Sequence, residues 1–246
     1  MSSDRRTAAV AGGLFLVTEI AAIAGLALYQ PVLDGAAGVL DPGAATAATL
    51  GAVCELILVV AVIGTGIVLF PVLRRHHEGM ALGYACLRLL EAAVITVGII
   101  GVLALVTLRQ DAMATSAAAT GSAGADRALV ALHDWAFLLG PNVVLGLNTV
   151  LPAYVMYRSR LVPRYIAVLG LIGGPLICAS AVAVMFGVHE QLSVTGSALA
   201  VPVFAWEVTL AVRLIGKGFV PARAGTNGAP RAASVSTEET AEALRS

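Results

Sequence analysis

Seven ionisable residues stand inside stretches that are otherwise apolar: Glu19, Glu55, Arg88, Glu91, His133, Asp134 and Glu207. An ionised side chain near the centre of a bilayer costs at least about 2.5 to 3.5 kcal/mol on insertion scales, so such residues point to a polar interior or to function. Arg88 and Glu91 are spaced i, i+3, which puts them on one helix face within reach of each other. Such a pair fixes helix packing, or it presents a guanidinium, oriented by the glutamate, to an anionic headgroup or carboxylate. Five acids face one deep arginine and one histidine. Some of them must then be neutral, solvated, or matched by a bound cation. A neutral carboxylic acid is disposed to donate a proton. Glu207 and Asp134 are the candidate catalytic groups if a hydrophobic, for instance isoprenoid, substrate is protonated. Trp206 adjoins Glu207 and offers an aromatic face for a developing cation. Glu19, Glu55, Arg88, Glu91, His133 and Trp206 are the candidates for binding a ligand or protons.

Other chemistries find little support. His133 and Asp134 are consecutive, and neighbours on a helix point to different faces, so they do not form a dyad. His76 and His77 fall in a basic turn and His189 in a connection, which supplies no metal-ligand set. Cys54, Cys86 and Cys178 lie in apolar stretches as small hydrophobes, without zinc or disulfide spacing. No phosphate-binding glycine loop or serine elbow is present, and no cofactor or metal is expected.

The elements that must position these residues follow from composition. Of 246 residues, 59% are hydrophobic and 12% charged, about half the charged share of a water-soluble domain. Mean hydropathy is +0.91. Equal numbers of basic and acidic residues leave no footprint for nucleic acid. A helix crosses a bilayer core with about 20 apolar residues. Six stretches qualify, near Thr7–Tyr29, Ala45–Leu73, Met80–Leu108, Ala128–Tyr157, Tyr165–Gly187 and Ser197–Ile215. The first follows Arg5 and Arg6 but exceeds a signal-peptide core and contains Glu19, so it is expected to be retained.

Arginines orient the bundle, because positive loops resist translocation. Arg5, Arg6, Arg74, Arg75, Arg158, Arg160, Arg164, Arg213, Lys217 and Arg223 fall on one side, against Arg109 and Arg127 on the other. The expected fold is therefore an all-α integral membrane bundle of six transmembrane helices over residues 1–218, with both termini cytoplasmic. A disordered cytoplasmic tail is expected over 219–246. The stretch from Arg109 to Asp126 is expected to be a long outer loop. Pro141, Pro152, Pro175 and Pro202 are expected to kink their helices, and glycines such as Gly170, Gly173 and Gly174 to permit close packing. Counting inward at about 1.5 Å per residue places Glu19, Arg88, Glu91 and Glu207 near mid-membrane, and Glu55, His133 and Asp134 nearer the outer surface. Both groups can line one outward-opening cavity. Trp135 suits an interfacial anchor.

Several stretches together resemble a bacterial membrane family. They are Ala11-Gly12-Gly13-Leu14-Phe15-Leu16-Val17-Thr18, Leu87-Arg88-Leu89-Leu90-Glu91-Ala92, Leu132-His133 with Phe137-Leu138-Leu139-Gly140, Tyr157-Arg158-Ser159 with Val162-Pro163-Arg164, and Glu207-Val208-Thr209-Leu210 running to Ile215-Gly216-Lys217-Gly218. The family is the one catalogued as domain of unknown function 4386, and the resemblance runs over roughly residues 7 to 218. It implies a multi-pass membrane protein and transfers no activity. Arg88, Glu91, His133 and Glu207 sit in the matched stretches, whereas Glu19 stands where an apolar residue is expected. The expected function is binding or transport of a small or lipidic ligand, or of protons, in a polar cavity of a bacterial plasma-membrane protein. The alternatives are a membrane-embedded enzyme using a protonated Asp or Glu, and a structural bundle whose charges pair internally.

Overall fold

In the computed structural model, residues 3–35, 40–115 and 123–220 are described. They form six helices: α1 (Ser3–Leu33), α2 (Pro42–Arg74), α3 (Glu78–Thr115), α4 (Ala123–Ser159), α5 (Arg164–Met185) and α6 (Val194–Lys217). No strand occurs among the described residues, and all six helices are long and apolar enough to cross a membrane. Of the expected tail over 219–246, the Val220 N–H donates to the Leu161 carbonyl at 2.8 Å, and residues 221–246 lie outside the described residues.

Local chemistry sets the helix ends. Pro42 opens α2, where its missing N–H is no loss. Ser193 caps α6 by accepting a hydrogen bond from the Gly196 N–H, and Gly218, with φ of 71°, closes it. The Nδ1 of His77 accepts from the Met80 N–H at the start of α3.

Each helix packs against the next, and α6 returns to α1, closing a ring. Arg5 on α1 donates to the carbonyls of Leu214 (3.3 Å) and Gly216 (2.8 Å) at the end of α6. Asp4 meets Arg75 of the α2–α3 turn at 3.2 Å. These contacts define a terminal face, where the first helix begins and the last one ends, and an opposite far face. The core falls into two apolar clusters, one around Phe15, Tyr84, Met156 and Trp206 toward the terminal face, the other around Tyr29, Val62, Ile99 and Leu105 toward the far face. Glu19, Arg88 and Glu91 lie between them in the register of α1 and α3.

Two expectations require correction. The chain from Arg109 to Asp126 is not a long loop, since α3 runs on to Thr115 and α4 starts at Ala123. Arg109 and Asp126 are both buried and make a two-pronged ion pair, Nε to Oδ1 at 2.7 Å and Nη2 to Oδ2 at 2.8 Å. A charge that ends an apolar run reads as a loop, yet a pair that neutralises itself lets the helices continue. Pro141 does more than kink α4. Residues Leu139–Val144 form a π-helical segment between α-helical Ala123–Leu138 and Leu145–Ser159. A proline cannot donate to the ladder, and inserted π turns recur at functional sites. Pro152, Pro175 and Pro202 sit within α-helix without such a change.

Candidate functional site: a buried acid cluster and its cavity

Arg88 organises the centre of the ring. About ten residues, or roughly 15 Å, separate it from the start of α3, and Glu207 is about as far from the end of α6. The guanidinium is 1% exposed, and each of its nitrogens donates to a protein group. Nε reaches the Tyr84 hydroxyl at 3.2 Å, Nη1 reaches Glu91 Oε2 at 3.2 Å and Nη2 reaches Glu207 Oε1 at 3.0 Å. Its carbon lies 5.4 Å from the Phe15 ring centre and 5.5 Å from that of Tyr84, so two aromatic rings shield the charge. Asn148 on α4 donates from Nδ2 to the same Glu91 oxygen, while its own Oδ1, fully buried, has no partner.

Glu19 adds a third acid. Its carboxyl lines the same cavity as that of Glu207, with which it shares one guanidinium, that of Arg88. Glu55 on α2 is buried and faces the Tyr29 hydroxyl. Two glycines make room for this pair. A Cβ at Gly25 would lie 2.8 Å from Glu55 Cγ, and one at Gly51 would lie 2.8 Å from the Tyr29 ring.

Glu19, Glu55, Arg88, Glu91 and Glu207 line one cavity of about 270 Å³. The remaining wall is apolar apart from Thr18 and Asn142, with Leu58, Val62, Ile95, Phe137 and Ile177 among its members. Pro141, Asn142 and Phe137 come from the π segment of α4 and the turn before it, so the irregular backbone forms cavity wall. Ile23 of α1 and Phe204 of α6 also line the cavity and are exposed on the outside of the ring. The cavity therefore opens sideways between α1 and α6.

A second hollow of about 560 Å³ opens at the far face, lined by Asp34, His133, Asp134, His189 and Glu190 among others. Leu26 and Phe137 border both spaces. His133 is buried, with Tyr29 edge-on at 5.3 Å and Phe137 stacked at 6.3 Å, and its Nδ1 has no partner. Asp134 is exposed in the far hollow, and Trp135 is exposed beside it.

Glu55 lines the central cavity, His133 and Asp134 line the far hollow, and a small void between the two is lined by both Glu55 and His133. Trp206 does not line the cavity. It is fully buried, edge-on to Phe15 with ring centres 6.0 Å apart, and a Cβ at Gly170 would lie 2.6 Å from its indole nitrogen. Consecutive residues on a helix diverge, and the rule that separates His133 from Asp134 separates Trp206 from Glu207. Sequence reasoning missed Tyr84, Asn148 and Tyr29. Tyr84 lies i−4 to Arg88 and was discoverable by helical spacing. Asn148 was marked only by its polarity in an apolar run.

Fold and site together define a polytopic helical protein with a laterally open polar cavity at its centre. Residues 10–218 match the family described as Domain of unknown function (DUF4386), and the chain belongs to that family. No curated protein and no solved structure matches it.

Proposed function

We propose that this protein binds, and passes between the bilayer and its interior, a small amphiphilic molecule whose polar head reaches the carboxyl cluster. The observation that carries this reading is the cavity itself: apolar walls, an acidic end at Glu19, Glu207 and Glu91, and an opening between α1 and α6. A ligand site is typically a concave apolar space with a few convergent polar groups. A bundle whose charges merely paired internally would have no need of the space or of the surplus acids.

The same reading takes the membrane to be the bacterial plasma membrane and both ends to be cytoplasmic. The terminal face carries the arginines at both helix termini and both turns, while Arg109 at the far face is neutralised by Asp126. With Cys54, Cys86 and Cys178 replaced by alanine, a cysteine introduced at His76 should react with an impermeant maleimide only after lysis, and one at Met113 should react in intact cells. The reverse pattern overturns this placement.

Binding is read out through Trp206, which neighbours the cavity residues Val203 and Glu207. In a Trp135→Phe background in nanodiscs, a brominated decanol should quench Trp206 saturably. Ala200→Phe, which fills the cavity, should abolish the saturable part. Quenching that rises linearly with probe, indifferent to Ala200→Phe, overturns the reading.

A further inference from the structure

The charges around the cavity narrow the ligand class, on the basis of the proposed binding role. Toward the cavity α1 presents Glu19, α2 Glu55, α3 Arg88 and Glu91, and α6 Glu207, while the lining residues of α4 and α5 carry no charge. Four carboxyls thus share a space with one guanidinium. That guanidinium is already committed to Glu91 and Glu207, with Tyr84 on its third nitrogen. Glu19 and Glu55 form no ion pair among the described residues. Glu55 is also 7% exposed, and the group it faces, the Tyr29 hydroxyl, is neutral. A carboxyl more than nine-tenths buried, lining a cavity and lacking a cation, is a site prepared for one.

We infer that the cavity takes a lipophilic cation, an alkylamine or quaternary ammonium compound, with its head near Glu19 and Glu55 and its tail leaving past Ile23 and Phe204. An anion of the same shape meets surplus negative charge, because Arg88 is already neutralised. A neutral molecule gains only the apolar wall. Phe137 and Phe204 line the same cavity and offer ring faces to a cation. Charge bookkeeping fixes the pH dependence. Four carboxyls around one guanidinium hold a proton among them when no cation is present, and the cation enters as that proton leaves to the medium, so the buried charge stays constant. Cation and proton therefore compete for the same carboxyls, and cation affinity falls as pH falls.

The test uses the full chain in nanodiscs and three probes with one tail: decyltrimethylammonium, decanol and decyl sulfate, below micellar concentration. Each displaces the brominated decanol that quenches Trp206. Near pH 8 the cation should bind roughly tenfold or more tightly than decanol and decyl sulfate more weakly. Near pH 5 the cation's advantage should shrink to within about threefold, while decanol is unchanged. Glu19→Gln and Glu55→Gln should each reduce the cation's advantage, read as the ratio of cation to decanol affinity in the same variant, with decanol displacement still saturable as the sign that the cavity is intact. If a variant fails to fold, the three probes and the pH comparison on the native chain decide. Equal binding of the three heads, with Ala200→Phe still abolishing it, overturns the cation inference and leaves the binding role standing. Absence of saturable quenching removes both.

Discussion

The ring holds two buried arginines on the same helix, and they are satisfied in opposite ways. Arg109 meets Asp126 prong to prong and also donates to the carbonyls of Val32 (2.7 Å) and Gly35 (3.4 Å), so it ties α1, α3 and α4 together at the far face. It lines neither the central cavity nor the far hollow. Arg88 splits its bonds between Glu91 and Glu207, with a third acid on the same cavity, and borders empty space. A guanidinium needs one carboxylate for neutrality and a few acceptors for its remaining donors. The first site stops at that point. The second continues to add acids, and buried acids without cations cost stability unless something else neutralises them. Excess of this kind marks a site whose charge is completed from outside.

Replacing either arginine should have the largest effect. Arg109→Leu strands Asp126, and Arg88→Leu strands Glu91 and Glu207, so each should cost about 3 to 5 kcal/mol. Steric-trap unfolding in bicelles measures this directly. An Arg88→Leu protein as stable as the native chain would break the comparison at its root.

Removing whole charge sets should separate the two sites next. A balanced ion pair replaced by apolar residues is often close to neutral in stability. Arg109→Leu with Asp126→Leu should therefore recover to within about 1 to 2 kcal/mol of the native chain. Arg88→Leu with Glu91→Leu should not, because Glu207 remains buried beside Glu19, and recovery should require Glu207→Leu as well. Equal recovery of the two double variants would mean that Glu207 finds its counter-charge elsewhere.

A packing change should have a smaller effect. At Gly25 an added methyl would lie 2.8 Å from Glu55 Cγ, in the middle of the side chain rather than at its free end. Gly25→Ala should cost about 1 to 3 kcal/mol by overpacking, and it should shift the Glu55 carboxyl out of the cavity. Gly98→Ala serves as the control, since its nearest neighbour, Ala136 Cβ, would be at an ordinary 3.4 Å. Similar losses at the two positions would remove the argument that Gly25 exists to seat Glu55.

What could be read before the structure follows from the range of each interaction. Six apolar runs locate six helices because every backbone donor in lipid must be satisfied within its own segment. The Arg88–Glu91 pair is legible because its two partners are three residues apart. The Glu207 half of the cluster is separated from Arg88 by 119 positions, and only the closure of α6 onto α1 brings it near. Arg109 and Asp126 escaped for the converse reason. Seventeen residues apart on successive helices, they looked like solvated loop charges, and nothing local announces that they face each other. The π segment was likewise signalled only by Pro141, and a proline does not say whether the helix bends, breaks or widens.

The smallest effect on stability should come from Glu19→Gln, and it is the sharpest probe of the imbalance. Glu19 is only half-buried and forms no ion pair among the described residues, so its loss should change unfolding free energy by less than about 1 kcal/mol. Four carboxyls around one guanidinium nevertheless leave more acid in the cavity than its one cation can balance, which calls for a proton among them. The native chain should thus show a protonated-carboxyl infrared band at neutral pH. A glutamine at position 19 takes one acid out of that surplus, so the band should vanish while the fold persists. Glu207→Gln should remove the same band but also loosen Arg88, which would then keep Glu91 alone as its counter-charge. By contrast, substitutions at the Arg109 clasp should leave the band untouched. A native chain without the band, or a band that survives in both variants, would place the proton elsewhere, and the difference between the two arginine sites would reduce to one of geometry.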